Sequence, residues 1–235
     1  MIGERSVSAI VTCAGKSVRF GSNKLLLELS GRTVLETTVS KFVHPAIDEV
    51  IVTVSEEHHD EYHEILVERA QLPVQLVLGA EERFLSAQRG LEATTGSLIC
   101  VHDGVRPFVD HDLIDRALAA GDEHGAAMLG MPSVVQLKLV DDDRIVQSSL
   151  DRSHSWLGQT PQVFERHLLE EAYAKAIADR YARISDDADL VAEYTGHTVK
   201  MVEGSENNIK ITTPMDQFVA QRIAAELLDR TGGGD

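Results

Sequence analysis

The chain has 235 residues, 43% of them hydrophobic, enough for one large α/β domain or two small ones with a proper core. Its 38 acidic residues against 22 basic ones leave a net charge of −16, which argues against non-specific binding to nucleic acid or acidic membrane, since that needs a basic face. A local cationic pocket for a small anion remains compatible with that balance.

Short β-branched runs alternate with longer stretches of helical spacing. The pattern predicts a first strand over Ser6–Cys13, a helix over Thr33–Val43 and a second strand over Glu49–Val54. A charged surface helix follows over Glu56–Ala70, then a third strand over Val74–Gly79. Ser86 reads as the N-cap of a helix running to Thr94. Ser97–Gly104 is apolar nearly throughout, as a central parallel strand should be. A helix over His111–Gly125 ends at glycine, and a strand over Ala126–Pro132 follows. This β-α-β-α alternation predicts an α/β fold with a parallel, doubly wound sheet.

The rhythm then changes. Val134–Leu150 reads as a hairpin with an Asp-rich turn, an arm added to the sheet. Glu165–Ala182 is a long amphipathic helix, and Ser185–Gly196 a short one capped by Ser185 or Asp186. Thr198–Gly204 is a further strand. The last helix spans Thr213–Arg230, with Thr213 as cap, Pro214 at the first helical position and Asp216 in the first turn. No repeat or linker divides the chain, so residues 1–235 read as one domain, with 132–160 as an arm within it. Cys13 and Cys100 sit in or beside apolar runs and read as reduced core residues. With no signal peptide and no bilayer-length apolar run, a cytoplasmic protein is expected, with neither nucleic acid nor membrane as partner.

Ligands of open parallel sheets bind beyond the carboxyl ends of the strands, and four polar segments fall there. The first, Ala14–Lys24, holds Gly15, Lys16, Arg19 and Lys24. It fits neither Walker A, since Ile10 stands where a glycine is needed, nor GxGxxG, since Ser17 does. Its glycines and cations still suit a polyphosphate better than a merely solvated loop. In the second, Gly79–Gly90, small residues let a flat ring approach the backbone and Ser86 can hydrogen-bond it; an ordinary turn explains the segment equally well. The third, His102–Pro107, puts Asp103 where it can hold Mg²⁺ against phosphate oxygens and Arg106 where it can fork onto a phosphate. The plainer alternative is an Asp–Arg pair that stiffens the turn. In the fourth, Gly204–Pro214, Lys210 lies in an otherwise apolar mini-strand and must reach solvent or a partner, either an anionic ligand or a structural carboxylate. His44, His58, His59 and His63 have no zinc-site spacing.

Together these segments resemble the 2-C-methyl-D-erythritol 4-phosphate cytidylyltransferase family, from about Val7 to Arg222. The resemblance rests on Ala14, Gly15, Arg19, Gly21 and Lys24, then Gly79, Arg83, Ser86, Gly90 and Leu91, and on His102, Asp103, Arg106 and Pro107. Asp151-Arg152, Trp156, the Gln159–Gln162 stretch with Phe164, Asp186-Asp187 and Asn208–Asp216 complete it. It implies a Rossmann-like nucleotidyltransferase sheet in three α/β/α layers, with a protruding β-arm for dimerisation. It also implies a Mg²⁺-dependent reaction in which the phosphate of a sugar-alcohol phosphate attacks the α-phosphorus of CTP. Arg19, Lys24 and Lys210 would then be catalytic. Ala14, Gly15, Lys16, Ala80, Glu81, Ser86 and Asp103 would bind CTP, and Asp103 would hold the metal. Arg106, Gln136, Arg152 and Lys210 would bind the acceptor, with Arg152 supplied by the second copy of a homodimer. The chain departs from the family where Val135 and Gln136 stand at an Asp-Thr pair, and where Asn23 precedes Lys24 in place of proline. Ribitol 5-phosphate as acceptor, another nucleotide-sugar or molybdenum-cofactor transferase, and a non-catalytic nucleotide-binding paralogue are the alternatives.

Overall fold

The protein's structure, a computed structural model, describes residues 5–15, 23–80, 82–179 and 186–232. Its strands are β1 (Val7–Thr12), β2 (Glu28–Leu29), β3 (Arg32–Thr33), β4 (Glu49–Val54), β5 (Gln75–Leu78), β6 (Leu98–Asp103), β7 (Ala126–Pro132), β8 (Lys138–Val140), β9 (Val146–Ser149), β10 (Trp156–Glu165) and β11 (Lys200–Glu203). The helices are α1 (Val34–Ser40), α2 (His59–His63), α3 (Arg83–Ala93), α4 (His111–His124), α5 (Arg166–Ala178), α6 (Asp187–Thr195) and α7 (Pro214–Gly232). Seven strands make the main sheet in the order β11-β7-β10-β6-β1-β4-β5.

The alternation of side chains along the central strands builds three layers. Ala9 and Val11 of β1, with Leu98 and Cys100 of β6, join one core with Leu35 of α1, Tyr62 of α2, Leu118 of α4 and Ala220 of α7. Ile10, Ile99 and Val101 point the other way, into a second core with Leu91 of α3, Leu169 of α5 and Leu190 of α6. Every residue of β6 is buried, as a strand covered on both faces must be. Helix α4 starts on the Asp110 carboxylate, which accepts the Leu113 N–H, and stops at Gly125, whose φ of +76° closes the helix in the left-handed conformation.

The sheet is mixed rather than wholly parallel. β10 runs antiparallel to both β6 and β7 and is a strand the sequence pattern did not predict. The reason is the connection. β7 leads into the arm and β10 leads out of it, with Trp156 opposite Pro132 and Leu157 opposite Met131. The two form one long hairpin, which needs no crossover helix. The arm strands β8 and β9 are its tip, and every residue of both is exposed.

Smaller features also differ. Helix α3 begins at Arg83, not Ser86, and its N-cap Glu82 makes no side-chain capping bond. The helical stretch after β4 passes from a 3-10 turn through α2 into a π-helical turn, Glu64–Arg69. The segment around Lys210 is extended but pairs with no sheet strand; Ile211 N–H donates instead to the Val105 carbonyl. The long helix, α5, ends at Ala178 and not Ala182, with Asp179 as its C-cap; residues 180–185 lie outside the described residues.

Helix α3 lies close on the sheet at Gly90, where a Cβ would stand 2.5 Å from Ile10 Cγ2 and 3.1 Å from Thr53 Cγ2. Gly90→Ala should therefore overpack the second core and destabilise the fold by about 1–3 kcal/mol. Urea unfolding checks this: the midpoint should fall with the slope unchanged.

Candidate active site

The site is built around the last residue of β6. Asp103 is only 4% exposed, and a lone carboxylate there would be costly. Three cations converge on it from three elements. Arg83 Nε, from the start of α3, lies 2.7 Å from Oδ1. Lys210 Nζ lies 2.9 Å and Arg106 Nε 3.3 Å from Oδ2. Burial alone would raise the Asp103 carboxyl, but Arg83, Lys210 and Arg106 outweigh it and hold the group well below the usual carboxylate range.

Each cation has a different freedom. Arg83 also reaches Asp187 Oδ2 at 2.6 Å, and the buried Tyr173 hydroxyl donates to Asp187 Oδ1 at 2.6 Å. Arg106 is buried, and its other nitrogens donate to the carbonyls of Asn208 at 2.9 Å and Gly158 at 3.4 Å. The Asp–Arg stiffening pair of the turn is thus present, and in this state the Arg106 fork is filled by protein oxygens. Lys210 is the exposed member, its side chain 38% accessible. A phosphate could draw Lys210 off Asp103 with little loss of buried structure.

The backbone of Asp103 is fixed as firmly as its side chain. Its N–H donates to Thr160 Oγ1 at 3.1 Å. That hydroxyl then donates to His102 Nδ1 at 3.0 Å, so His102 must carry its proton on Nε2, which donates to the Arg106 carbonyl at 3.1 Å. Burial pushes the His102 ring down to about 3, which keeps it neutral.

The expected nucleotide segments meet beside this cluster. Gly79 packs on Ala14 so closely that a Cβ would stand 2.5 Å from Ala14 Cβ. Gly15 is exposed, with nothing within 4 Å of its Cβ position. Ser86 is buried inside α3, and its hydroxyl bonds Ala80 N at 2.9 Å and Ala80 O at 2.8 Å. It shapes the Ala80 loop from within rather than presenting a free hydroxyl or capping the helix. Lys16, Arg19 and Glu81 lie outside the described residues. Lys24 opens the 3-10 turn Lys24–Leu26 that follows the first loop. Gln136 and Arg152 sit apart, on the arm, and neither bonds Asp103, Arg106 or Lys210. Gln136 Nε2 instead donates to the Leu150 carbonyl at 2.8 Å, closing the base of the arm.

Among the described residues no group of three His, Cys, Asp or Glu could hold a metal ion. Asp103 is a single carboxylate with cations on both oxygens. This donor set fits an ion shared with substrate phosphates, the usual habit of Mg²⁺, and not a resident one.

Sequence reasoning passed over Arg83, Asp187 and Thr160 as site residues. One signal existed for Arg83. It is among the residues that carry the family resemblance, as are Thr160 and Asp187, but the resemblance attaches no role to it; in the structure it opens α3, where a cation opposes the dipole and calls for carboxylates.

His102 makes stability pH-dependent. Its folded pKa lies below its ordinary value, so its contribution is complete above about pH 6.5 and is lost as pH falls towards 3. Between pH 8 and pH 5 the wild type should lose about 2 kcal/mol on this account. Urea titrations at both values should show a smaller difference for His102→Gln, which starts less stable at pH 8.

Three comparisons bear on identity. The family model described as IspD: 2-C-methyl-D-erythritol 4-phosphate cytidylyltransferase matches residues 7–226. The protein of that name from Caldanaerobacter subterraneus subsp. tengcongensis is 35% identical over 223 residues, covering 92% of this chain and 97% of the relative. Its counterpart from Syntrophotalea carbinolica is 38% identical, covering 92% and 95%. The crystal structure of 4-diphosphocytidyl-2C-methyl-D-erythritol synthase from Anaerococcus prevotii superposes with a TM-score of 0.83 at 32% identity, covering 95% of this chain and 99% of that one. That of 2-C-methyl-D-erythritol 4-phosphate cytidylyltransferase from Thermus thermophilus gives 0.78 at 33% identity, covering 94% and 99%. The chain belongs to the 2-C-methyl-D-erythritol 4-phosphate cytidylyltransferase family.

Proposed function

We propose that the protein joins CTP to 2-C-methyl-D-erythritol 4-phosphate, giving 4-diphosphocytidyl-2-C-methyl-D-erythritol and pyrophosphate in isoprenoid-precursor synthesis. The observation that carries this reading is the Asp103 cluster, with Lys210 as its exposed cation, beside the Ala14–Gly79 contact. Family membership favours this acceptor over ribitol 5-phosphate, which Val135 and Gln136 left open, and favours an enzyme over a non-catalytic paralogue.

CTP would lie with its base against Ala80 and Glu81, in a loop that Ser86 shapes from behind, and its triphosphate along Ala14, Gly15 and Lys16. Mg²⁺ would arrive with the nucleotide as part of the substrate, and Asp103 would be its protein ligand, neutralising phosphate charge. The acceptor phosphate oxygen attacks the α-phosphorus and the bond to the β-phosphate oxygen breaks. Lys210 leaves Asp103 Oδ2 to meet the α-phosphate and the incoming phosphate. Arg19 and Lys24 meet the negative charge that grows on departing pyrophosphate, where preorganised cations contribute most. Arg106 would bind the acceptor by giving up a carbonyl that fills its fork in this state, the Gly158 contact at 3.4 Å being the longer of the two.

We also propose a homodimer formed through the arm. Val134, Val135, Ile145 and Val146 are each more than half exposed. A lone two-stranded ribbon is marginal in water, and an apolar patch of this kind seeks a partner surface. Arg152, exposed in the 3-10 turn Arg152–His154, would then reach the acceptor phosphate bound by the second copy. No helix of the described residues is long and apolar enough to cross a membrane, and the free, buried Cys13 and Cys100 accord with the cytoplasmic residence we propose.

The first experiment is pyrophosphate release from CTP and Mg²⁺, with each acceptor supplied separately. Activity with methylerythritol phosphate is expected; activity with ribitol 5-phosphate alone would move the protein to polyol-phosphate metabolism. Lys210→Ala and Lys24→Ala should each lower kcat about 100-fold or more with CTP affinity little changed, because the charge they meet is largest in the transition state. Arg152→Ala should raise KM for the acceptor and spare CTP binding. In sedimentation, the Val140→Glu/Val146→Glu pair should convert dimer to monomer without loss of helical signal.

A further inference from the structure

Asn23 stands directly before Lys24, as the N-cap of its 3-10 turn. Asn23 uses both ends of its amide. Oδ1 accepts the Leu25 N–H at 3.1 Å, starting the 3-10 turn Lys24–Leu26. Nδ2 donates to the Tyr62 hydroxyl at 2.8 Å. Tyr62 belongs to α2, 39 residues further along, and is 1% exposed, so its ring is a fixed post in the first core. His58 stacks on it, with ring centroids 5.5 Å apart. Burial raises its hydroxyl above the ordinary tyrosine range, so the group stays protonated at working pH.

Leu25, one residue beyond Lys24, is buried in the same core. That anchor sets how deep the turn sits. It does not fix rotation of the turn about the leucine, because apolar contact is non-directional. A directional bond on the other side of Lys24 does. We propose that the Asn23–Tyr62 hydrogen bond is a positioning latch for Lys24, holding the 3-10 turn at the one rotation that aims the ammonium group at the leaving phosphates. The inference rests on the role given to Lys24 above. A misplacement of about 1 Å at such a group can cost as much as 100-fold in rate, so a single bond of this kind has kinetic weight.

The backbone suggests a test that a merely structural contact would fail. Asn23 has φ of −72° and ψ of 104°, within reach of proline, whose ring fixes φ near −65°. Asn23→Pro removes the amide but supplies backbone stiffness in its place. The experiment measures kcat, KM for CTP and thermal midpoint for Asn23→Ala, Tyr62→Phe, the Asn23→Ala/Tyr62→Phe pair and Asn23→Pro, beside Lys24→Ala. Asn23→Ala and Tyr62→Phe should each lower kcat about tenfold with KM for CTP within twofold. The pair should be no slower than the slower single variant, as expected for two halves of one interaction. Asn23→Pro should recover most of the wild-type kcat, and adding Tyr62→Phe to it should change nothing further.

If Lys24→Ala is silent, the reading of Lys24 fails and the latch has nothing to aim. If Lys24→Ala is slow but Asn23→Ala and Tyr62→Phe turn over normally, the reading stands and the latch is overturned. Rate losses that simply follow the thermal midpoints, or that add in the pair, would also overturn it.

Discussion

The cost of burying one carboxylate organises this molecule. Asp103 ends a strand that is covered on both faces, and a charge in that position must be compensated by groups that cannot drift. Its partners arrive from the start of α3, from the turn after β6 and from the segment before α7. Satisfying the charge therefore fixes three parts of the chain relative to one another. Arg83 extends the constraint to Asp187 and through it to Tyr173 of α5. The result is a small excess of positive charge, three cations against two carboxylates, inside a chain that is acidic overall.

A second strand end completes the arrangement. Where β10 passes Asp103 its register against β7 slips: Gly158 faces Gly130, but Gln162 faces Met128. The residues between are released from the ladder and used as fasteners. Gln159 binds the Ser205 carbonyl and the Asn208 amide, and Thr160 holds the Asp103 backbone. Where the ladder resumes, the Gln162 side chain accepts the N–H of Ala188 at the start of α6. The loop that carries Lys210 is thus positioned by polar side chains of a strand, not by pairing in the sheet. That leaves the partly exposed Lys210 side chain free to move while its backbone stays in place, as the role proposed for it requires.

The alternation of strands and helices was legible because each element buries one stripe or both faces, and Ala126–Pro132 was read without error. Strand β10 was not, because Gly158 and Pro161 interrupt its pattern and its partner strands are remote in sequence. Ser86 looks like a helix cap because serine favours caps; here it sits one turn inside and pins Ala80. Ile209 and Ile211 mimic a strand around Lys210, but alternation alone cannot tell a sheet strand from an extended segment packed on the core. Candidate residues could be found from their places at strand ends. Their partners could not: the Arg83–Asp187 pair spans 104 residues, and spacing carries no information over that distance.

The long β7–β10 hairpin has a consequence for how the chain can change in length. Its tip, around Asp141–Arg144, is exposed and bonded only to itself, so residues can be added or removed there at little cost to the sheet. Its base is different. Side chains alternate faces along a strand, so a single-residue insertion between Trp156 and Gly158 would turn the following residues over. Thr160 would then leave Asp103, and Gln159 would leave the Lys210 loop. The arm is free to vary in reach at its end but is locked in count at its root.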